Sequence, residues 1–126
     1  MLDLALMEQE GRAAVGTHDF AAFRSAGDER AVTVRTLTRV AIELDGSDPR
    51  VVGVVVEGSA FLYNMVRILV GTMADVARGR LPPGGVARAL EARDRRVAGT
   101  TAPAHGLTLE HVDLELPEGA GEPWPR

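Results

Sequence analysis

The feature that most constrains the fold is a change of hydrophobic period in the middle of the chain. Residues 32–44 and 51–57 are rich in β-branched side chains, and the turn-forming run DGSDPR lies between them. This arrangement predicts an antiparallel β-hairpin. Beyond it the apolar side chains recur at helical spacing, which predicts a helix over residues 59–79 with Ser59 as its N-cap and Gly79 near its end.

The segments on either side of this unit predict the remaining elements. Residues 2–15 have a helical stripe, and residues 84–95 predict a second, shorter helix. Residues 16–29 predict a loop or short helix, and residues 107–116 alternate as a final strand. The order of helix, two strands, two helices and strand predicts an α+β (α/β-type) fold with helices packed on a sheet.

Composition limits the classes of function. The chain has 126 residues, of which 45% are hydrophobic, and this suits one globular domain. It contains no cysteine, and its three histidines lack the spacing of a usual ligand set, so no metal site is predicted. With no membrane-spanning run and no signal pattern, a cytoplasmic protein is expected. Residues 117–126 have no core pattern and predict a flexible tail.

Positive charge is concentrated in one part of the chain. All 14 basic side chains are arginines; residues 60–100 carry a net charge of +4 and the remainder carries −8. A basic block in an acidic chain permits a surface that faces RNA, because the planar arginine guanidinium can bind phosphate with two hydrogen bonds. Solvated helix faces would give the same pattern.

Arg67 is the only charged residue in the apolar run FLYNMVRILVG, residues 61–71. At 100° per residue it lies opposite the apolar arc, beside Gly71 and Ala74, so periodicity alone predicts a solvated face. The two small residues favour a second interpretation, since they would let another backbone or a ligand approach the guanidinium closely.

Three motifs carry a resemblance to a known family. VGTHDFAAFR (15–24), GSAFLYNMVRILVGTM (58–73) and GTTAPAHGLTLEHV (99–112) follow the order and spacing of the C-terminal part of the tRNA pseudouridine synthase A family. The resemblance covers about residues 1–116. It implies the C-terminal portion of a pseudouridine synthase catalytic fold, with an antiparallel-rich sheet and helices on one face.

The resemblance also implies a function. Members of this family isomerise uridine to pseudouridine in the anticodon stem-loop of tRNA, without a cofactor, and work as homodimers. At matching positions, Arg67 is expected to pair with the catalytic aspartate, and Leu107 and Phe61 to line the active site. Asn64, where relatives often carry His, and Arg78 on the same polar arc are candidate RNA contacts.

The catalytic aspartate of the family lies in an N-terminal segment like G-R-T-D-x-G-V-H-A, and the 126 residues contain no such segment. The chain alone is therefore expected to be inactive, whether it is a natural truncation, the product of an internal start or a fragment. Asp19 beside His18 is an alternative acid–base pair. The resemblance assigns both to the loop scaffold, with Asp19 as a loop cap and Phe20 and Phe23 as anchors in the core.

Two alternative functions stay open at this point. One is a non-catalytic module derived from the same fold, which binds RNA or a partner chain through the same surface. The weaker one is an unrelated α/β ligand-binding domain.

Overall fold

The computed structural model describes residues 2–25, 32–44, 52–62 and 64–103. In chain order its elements are α1 (Leu4–Ala14), β1 (Gly16–Asp19), β2 (Val34–Leu44), β3 (Val52–Gly58), α2 (Met65–Ala77) and α3 (Gly85–Ala92). Short 3-10 helices lie at Ala21–Phe23 and Arg95–Val97. The first helix, both hairpin strands and the two later helices confirm the predicted order, and the result is an α+β fold.

The strands form an antiparallel sheet in the order β1-β2-β3. In the hairpin, Val40 pairs with Val56 and Ile42 pairs with Val54, and a bulge interrupts β2 between Leu37 and Arg39. Strand β1 lies on the other side of β2 and was not predicted, because four residues are too few to show an alternating pattern.

Helix α2 begins later than the sequence predicted. Ser59 is not its N-cap; the Ser59 N–H donates to the Thr36 carbonyl (3.1 Å) and so continues the contact with β2. The cap position belongs to Asn64, in the left-handed region at φ 60°, ψ 8°. The apolar character of residues 61–62 hid this boundary, since these residues are apolar without being helical. The predicted strand 107–116 and the tail 117–126 lie outside the described residues.

The core lies between the helices and one face of the sheet. Gly11 of α1 sits so close to β2 that an added Cβ would lie 2.7 Å from Val40 Cγ1. The largest fully buried side chains come from the sheet, α2, α3 and the first 3-10 helix, and include Phe20, Phe23, Leu37, Met65, Ile68, Leu69, Met73, Val76 and Val86. Because both phenylalanines are fully buried, the prediction that they anchor the loop after β1 is confirmed.

A buried acid joins α1 to α3. Glu10 is only 4% exposed, and its two carboxylate oxygens accept from Gly84 N (2.9 Å) and Val86 N (3.0 Å) at the start of α3. Neither N–H has a helical partner at that position, so Glu10 acts as an N-terminal cap supplied by another helix. It also secures the packing of α1 against α3.

Glu10→Ala should lower the free energy of unfolding by about 2–3 kcal/mol, because two buried N–H groups lose a charged acceptor. Glu10→Gln should cost less, since its amide oxygen replaces one of the two acceptors. Glu8→Ala is the control on the same helix: its pair with Arg12 is exposed and should contribute no more than about 0.5 kcal/mol. Urea denaturation of the three variants measures these differences, and equal losses for Glu8→Ala and Glu10→Ala would contradict the capping role.

Candidate active site

The polar side of α2 is covered by a loop. Residues 99–103, called the GTTAP loop below, cross the helix at Gly71, where an added Cβ would lie 1.7 Å from the Thr100 carbonyl oxygen. The interpretation that Gly71 admits another backbone is therefore confirmed. The solvated-face interpretation of this side of α2 is wrong at Gly71, because the loop, and not water, covers it.

Two polar side chains of α2 hold the first half of the GTTAP loop. The Thr72 hydroxyl accepts from Gly99 N (2.9 Å) and donates to the Ile68 carbonyl (2.7 Å). Asp75, only 3% exposed, accepts from both Thr100 N (2.9 Å) and the Thr100 hydroxyl (3.0 Å) through Oδ2. Sequence reasoning missed both residues, although an acid inside the apolar run MADVA was a usable signal.

Arg67 holds the second half of the loop. Its Nε donates to the Ala102 carbonyl (2.8 Å), while Ala102 N donates to the Arg67 carbonyl (2.9 Å). Its Nη1 donates to Asn64 Oδ1 (2.9 Å). Hydrogen bonds from two of its three nitrogens, Nε and Nη1, thus fix the half-buried guanidinium, which is called the Arg67 fork below. Within the described residues Arg67 forms no ion pair and its Nη2 has no partner, so this end of the fork can bind a further acceptor.

Asn64 is placed by an unusual backbone conformation. Its φ of 60° and ψ of 8° lie in the left-handed region, which asparagine tolerates better than most residues. In this conformation Asn64 directly precedes α2, and its amide oxygen accepts from Arg67. Asn64 therefore supports the guanidinium directly, which was not part of its sequence-based role as an RNA contact.

Arg95, in the second 3-10 helix, also holds the GTTAP loop. Its Nη1 donates to the Gly99 carbonyl (2.8 Å) and its Nη2 to the Thr101 hydroxyl (3.2 Å). Together with Thr72, Asp75 and Arg67, it ties the loop to the rest of the domain. The position of the Arg67 fork thus depends on contacts from two helical segments.

The other predicted site residues lie at different distances from Arg67. Phe61 is half-buried and packs against the hydrophobic core, three residues before Asn64. Arg78 is exposed at the end of α2, about 16 Å along the helix axis from Arg67 at 1.5 Å per residue. Leu107 lies outside the described residues. The structure therefore brings Arg67 and Asn64 into contact and leaves Arg78 apart.

Asp19 has the role of a loop cap. Its Oδ1 accepts from Ala21 N (3.0 Å) and from the Thr33 hydroxyl (2.5 Å). The neighbouring His18 uses Nε2 for a hydrogen bond with the Val15 carbonyl (3.0 Å) and does not contact the Asp19 carboxylate in any hydrogen bond of the described residues. The expectation that this pair belongs to the scaffold is thus supported by its contacts.

The hydrogen bond from Thr33 holds the pKa of Asp19 below its ordinary value of 3.8, and the Ala21 N–H lowers this pKa further. Since the folded pKa is the lower one, Asp19 stabilises the fold above the ordinary value, and this contribution is lost as the pH falls through the folded pKa. Thr33→Val should therefore reduce the dependence of the unfolding free energy on pH below about pH 4.

Urea denaturation across acidic pH values tests this expectation. The matched control is Thr38→Val, because the Thr38 hydroxyl donates to the carbonyl of Glu57 (3.2 Å) and to no carboxylate. If the unfolding free energy of Thr33→Val depends on pH as steeply as that of the parent, the Asp19–Thr33 contact does not set the pKa of Asp19.

Two kinds of feature are absent from the described ranges. No helix there is long and apolar enough to cross a membrane. In the same ranges, no group of three or more His, Cys, Asp or Glu side chains is arranged to hold a metal ion.

Comparison with known proteins identifies the family. A family model described as tRNA pseudouridine synthase matches residues 12–115, which include β1 to α3 and the GTTAP loop. The chain belongs to this family. Its relatives include proteins named tRNA pseudouridine synthase A from Acetivibrio thermocellus (42% identical over 111 residues), Listeria innocua (44% over 115) and Chloroflexus aurantiacus (46% over 113).

The match covers most of this chain but less than half of the relatives. The aligned region includes 88%, 90% and 88% of the chain, and 44%, 46% and 40% of the respective relatives. The chain thus spans less than half the length of these tRNA pseudouridine synthases, and Arg67 lies inside the matched region.

Proposed function

We propose that the chain is part of a tRNA pseudouridine synthase that isomerises uridine to pseudouridine in the anticodon stem-loop, and that Arg67 pairs with the catalytic carboxylate. The observation that carries this proposal is the Arg67 fork. Ala102 and Asn64 fix it, and its Nη2 end is available for a further acceptor within the described residues. A carboxylate supplied by the portion of the relatives that this chain does not match would suit that end.

The reaction explains why a fixed cation is needed. The N1–C1′ bond of uridine breaks and a C5–C1′ bond forms, while C5 loses a proton and N1 gains one, so no electrons are gained or lost overall. An aspartate that acts as nucleophile or base must be ionised. A guanidinium in contact with it favours the ionised form, and a bidentate fork also fixes its orientation.

The remaining residues take supporting roles in the proposal. Phe61 and Leu107 line the pocket for the uracil ring, and Asn64 and Arg78 contact the tRNA. Asn64 also holds Arg67, so its substitution would affect both contacts. No cofactor takes part.

The proposal extends to the organisation of the protein. Residues 1–116 belong to the C-terminal portion of the catalytic domain. The enzyme acts in the cytoplasm, where its tRNA substrate is found, and it functions as a homodimer.

A chimera tests the proposed function. The portion of the Chloroflexus aurantiacus relative outside the matched region would be placed ahead of this chain, and pseudouridine in an unmodified tRNA transcript would be measured by mass spectrometry. We expect the chimera to form pseudouridine and the chain alone to form none. An inactive chimera that still binds the transcript would favour a non-catalytic RNA-binding module, and activity of the chain alone would contradict the missing carboxylate.

The chain alone should also self-associate. Among the described residues, β1 and β3 each have a neighbouring strand on one side only, and Leu44 at the end of β2 is 66% exposed. Unpaired strand edges favour pairing with a second chain. Light scattering over a range of micromolar concentrations should show dimers or larger species, and a single monomeric species throughout would contradict this expectation.

A further inference from the structure

A cavity of about 430 Å³ lies beside the first 3-10 helix, away from the Arg67 fork, where the end of α3 meets the segment before the GTTAP loop. Three arginines line it: Arg24, Arg93 and Arg95. The other polar lining residues are Ser25 and Asp94. The function proposed above does not use this cavity.

Among the described residues, the charges around the cavity leave it positive at Arg93 and Arg95. The Asp94 carboxylate is bound by Arg96, with Nη2 at 2.8 Å from Oδ2, and this hydrogen bond holds the pKa of Asp94 below its ordinary value. Asp94 is thus neutralised by an arginine outside the lining. Asp19 Oδ2 lies 3.8 Å from Arg93 Nε, which is too far for a hydrogen bond, so this carboxylate only partly offsets the Arg93 charge.

The backbone of Arg93 is a second observation at this site. Arg93 is the residue after α3 and adopts φ 56°, ψ 30°, a left-handed conformation that is usually taken by glycine where a helix ends in it. A side chain other than that of glycine or asparagine costs about 1 kcal/mol or more in this conformation, and the residue here is an arginine. Its side chain is 67% exposed and reaches the cavity.

Ser25 supplies a hydrogen-bonding group. Its hydroxyl oxygen is buried and has no partner within the described residues. Buried polar groups are nearly always satisfied by protein, water or ligand. An oxyanion in the cavity would accept from the Ser25 hydroxyl and from the neighbouring guanidinium groups.

We infer that this cavity binds a phosphate group of the RNA backbone. Its volume, its excess of arginine and the hydroxyl donor suit a singly charged phosphodiester. The inference rests on the proposed function, because that function makes tRNA the ligand. Since Arg95 both lines the cavity and holds Gly99 and Thr101, a bound phosphate would contact the same side chain that secures the GTTAP loop.

Arg93→Gly is the decisive variant. Glycine suits the left-handed backbone, so the substitution removes the cation and is compatible with the local fold. Fluorescence anisotropy would measure binding of a labelled, unmodified tRNA transcript to the full chain over a range of salt concentrations. We expect a dissociation constant about three- to tenfold higher near 0.1 M salt, and a log–log salt slope smaller by about 0.7–0.9 for the lost phosphate contact.

Arg12→Ala is the matched control, because Arg12 is an exposed arginine paired with a carboxylate on α1 and lies outside the cavity lining. It should leave the slope at the parent value. The inference is overturned if Arg93→Gly binds like the parent, if Arg12→Ala reduces the slope equally, or if the chain shows no binding. Thermal stabilisation of the parent, but not of Arg93→Gly, by inorganic phosphate at constant ionic strength would support a phosphate site at Arg93. The same result together with tRNA binding that does not depend on Arg93 would overturn RNA as the ligand in favour of a small free anion.

Failure of this inference is separable from failure of the proposed function. An active chimera whose tRNA binding does not depend on Arg93 would retain the isomerase and reject the phosphate site. An inactive chimera whose tRNA binding depends on Arg93 would reject the isomerase and retain the phosphate site.

Discussion

Gly71→Ala should displace the GTTAP loop from α2 and lower the free energy of unfolding by about 2–4 kcal/mol. Alanine normally gains about 1 kcal/mol over glycine inside a helix. Here its Cβ would lie 1.7 Å from the Thr100 carbonyl oxygen, a backbone atom that no rotamer change can move away. The loop must shift, and the hydrogen bonds from Thr100 to Asp75 are lost with it.

Gly53→Ala is the control for this prediction. A Cβ at Gly53 would meet its nearest neighbour, the Glu43 carbonyl oxygen, at 3.6 Å, which is an ordinary contact. Its effect should stay within about 0.5 kcal/mol, as for most surface substitutions. Urea denaturation measures both variants. If Gly71→Ala proves as stable as the parent, the loop does not lie on the helix as described.

The elements with a strong repeating pattern could be predicted from the sequence. The hairpin strands and α1 lie within one or two residues of their predicted limits, because each carries its own alternating or helical pattern. The start of α2 was misplaced by six residues, since Phe61 and Leu62 before it are apolar without being helical. Strand β1 forms because its backbone pairs with β2, and the sequence of these four residues alone does not show that pairing.

The candidate site was only partly predictable. Gly71 was correctly interpreted, because a residue without a side chain on a helix surface indicates that another group packs closely there, whichever group it is. The environment of Arg67 was not predictable from the helix period, which describes one element and takes no account of a loop some 30 residues further along the chain. Glu10 and Asp75 were missed for the same reason: each carboxylate binds backbone N–H groups that lie 74 or 25 residues away in sequence.

Arg67→Ala should abolish most of the pseudouridine formation of the chimera while leaving tRNA binding nearly unchanged. Loss of one partner of a buried charge pair costs about 3–5 kcal/mol, which corresponds to a rate reduction of about 10²- to 10⁴-fold. Arg67→Lys should recover part of this loss. An ammonium supplies the charge but cannot reproduce the fork that donates to Ala102 and Asn64 while it holds a carboxylate.

The central claim is that the Arg67 fork serves the chemical step, and single-turnover rates of Arg67→Ala and Arg78→Ala chimeras test it most directly. Both arginines belong to the polar side of α2, but Arg78 is exposed at its end, and within the described residues it forms no hydrogen bond with the GTTAP loop. With saturating tRNA, we expect a rate reduced by about 10²-fold or more for Arg67→Ala and a rate near the parent's for Arg78→Ala. Equal rates for the two variants would contradict the assignment of Arg67 to the active site.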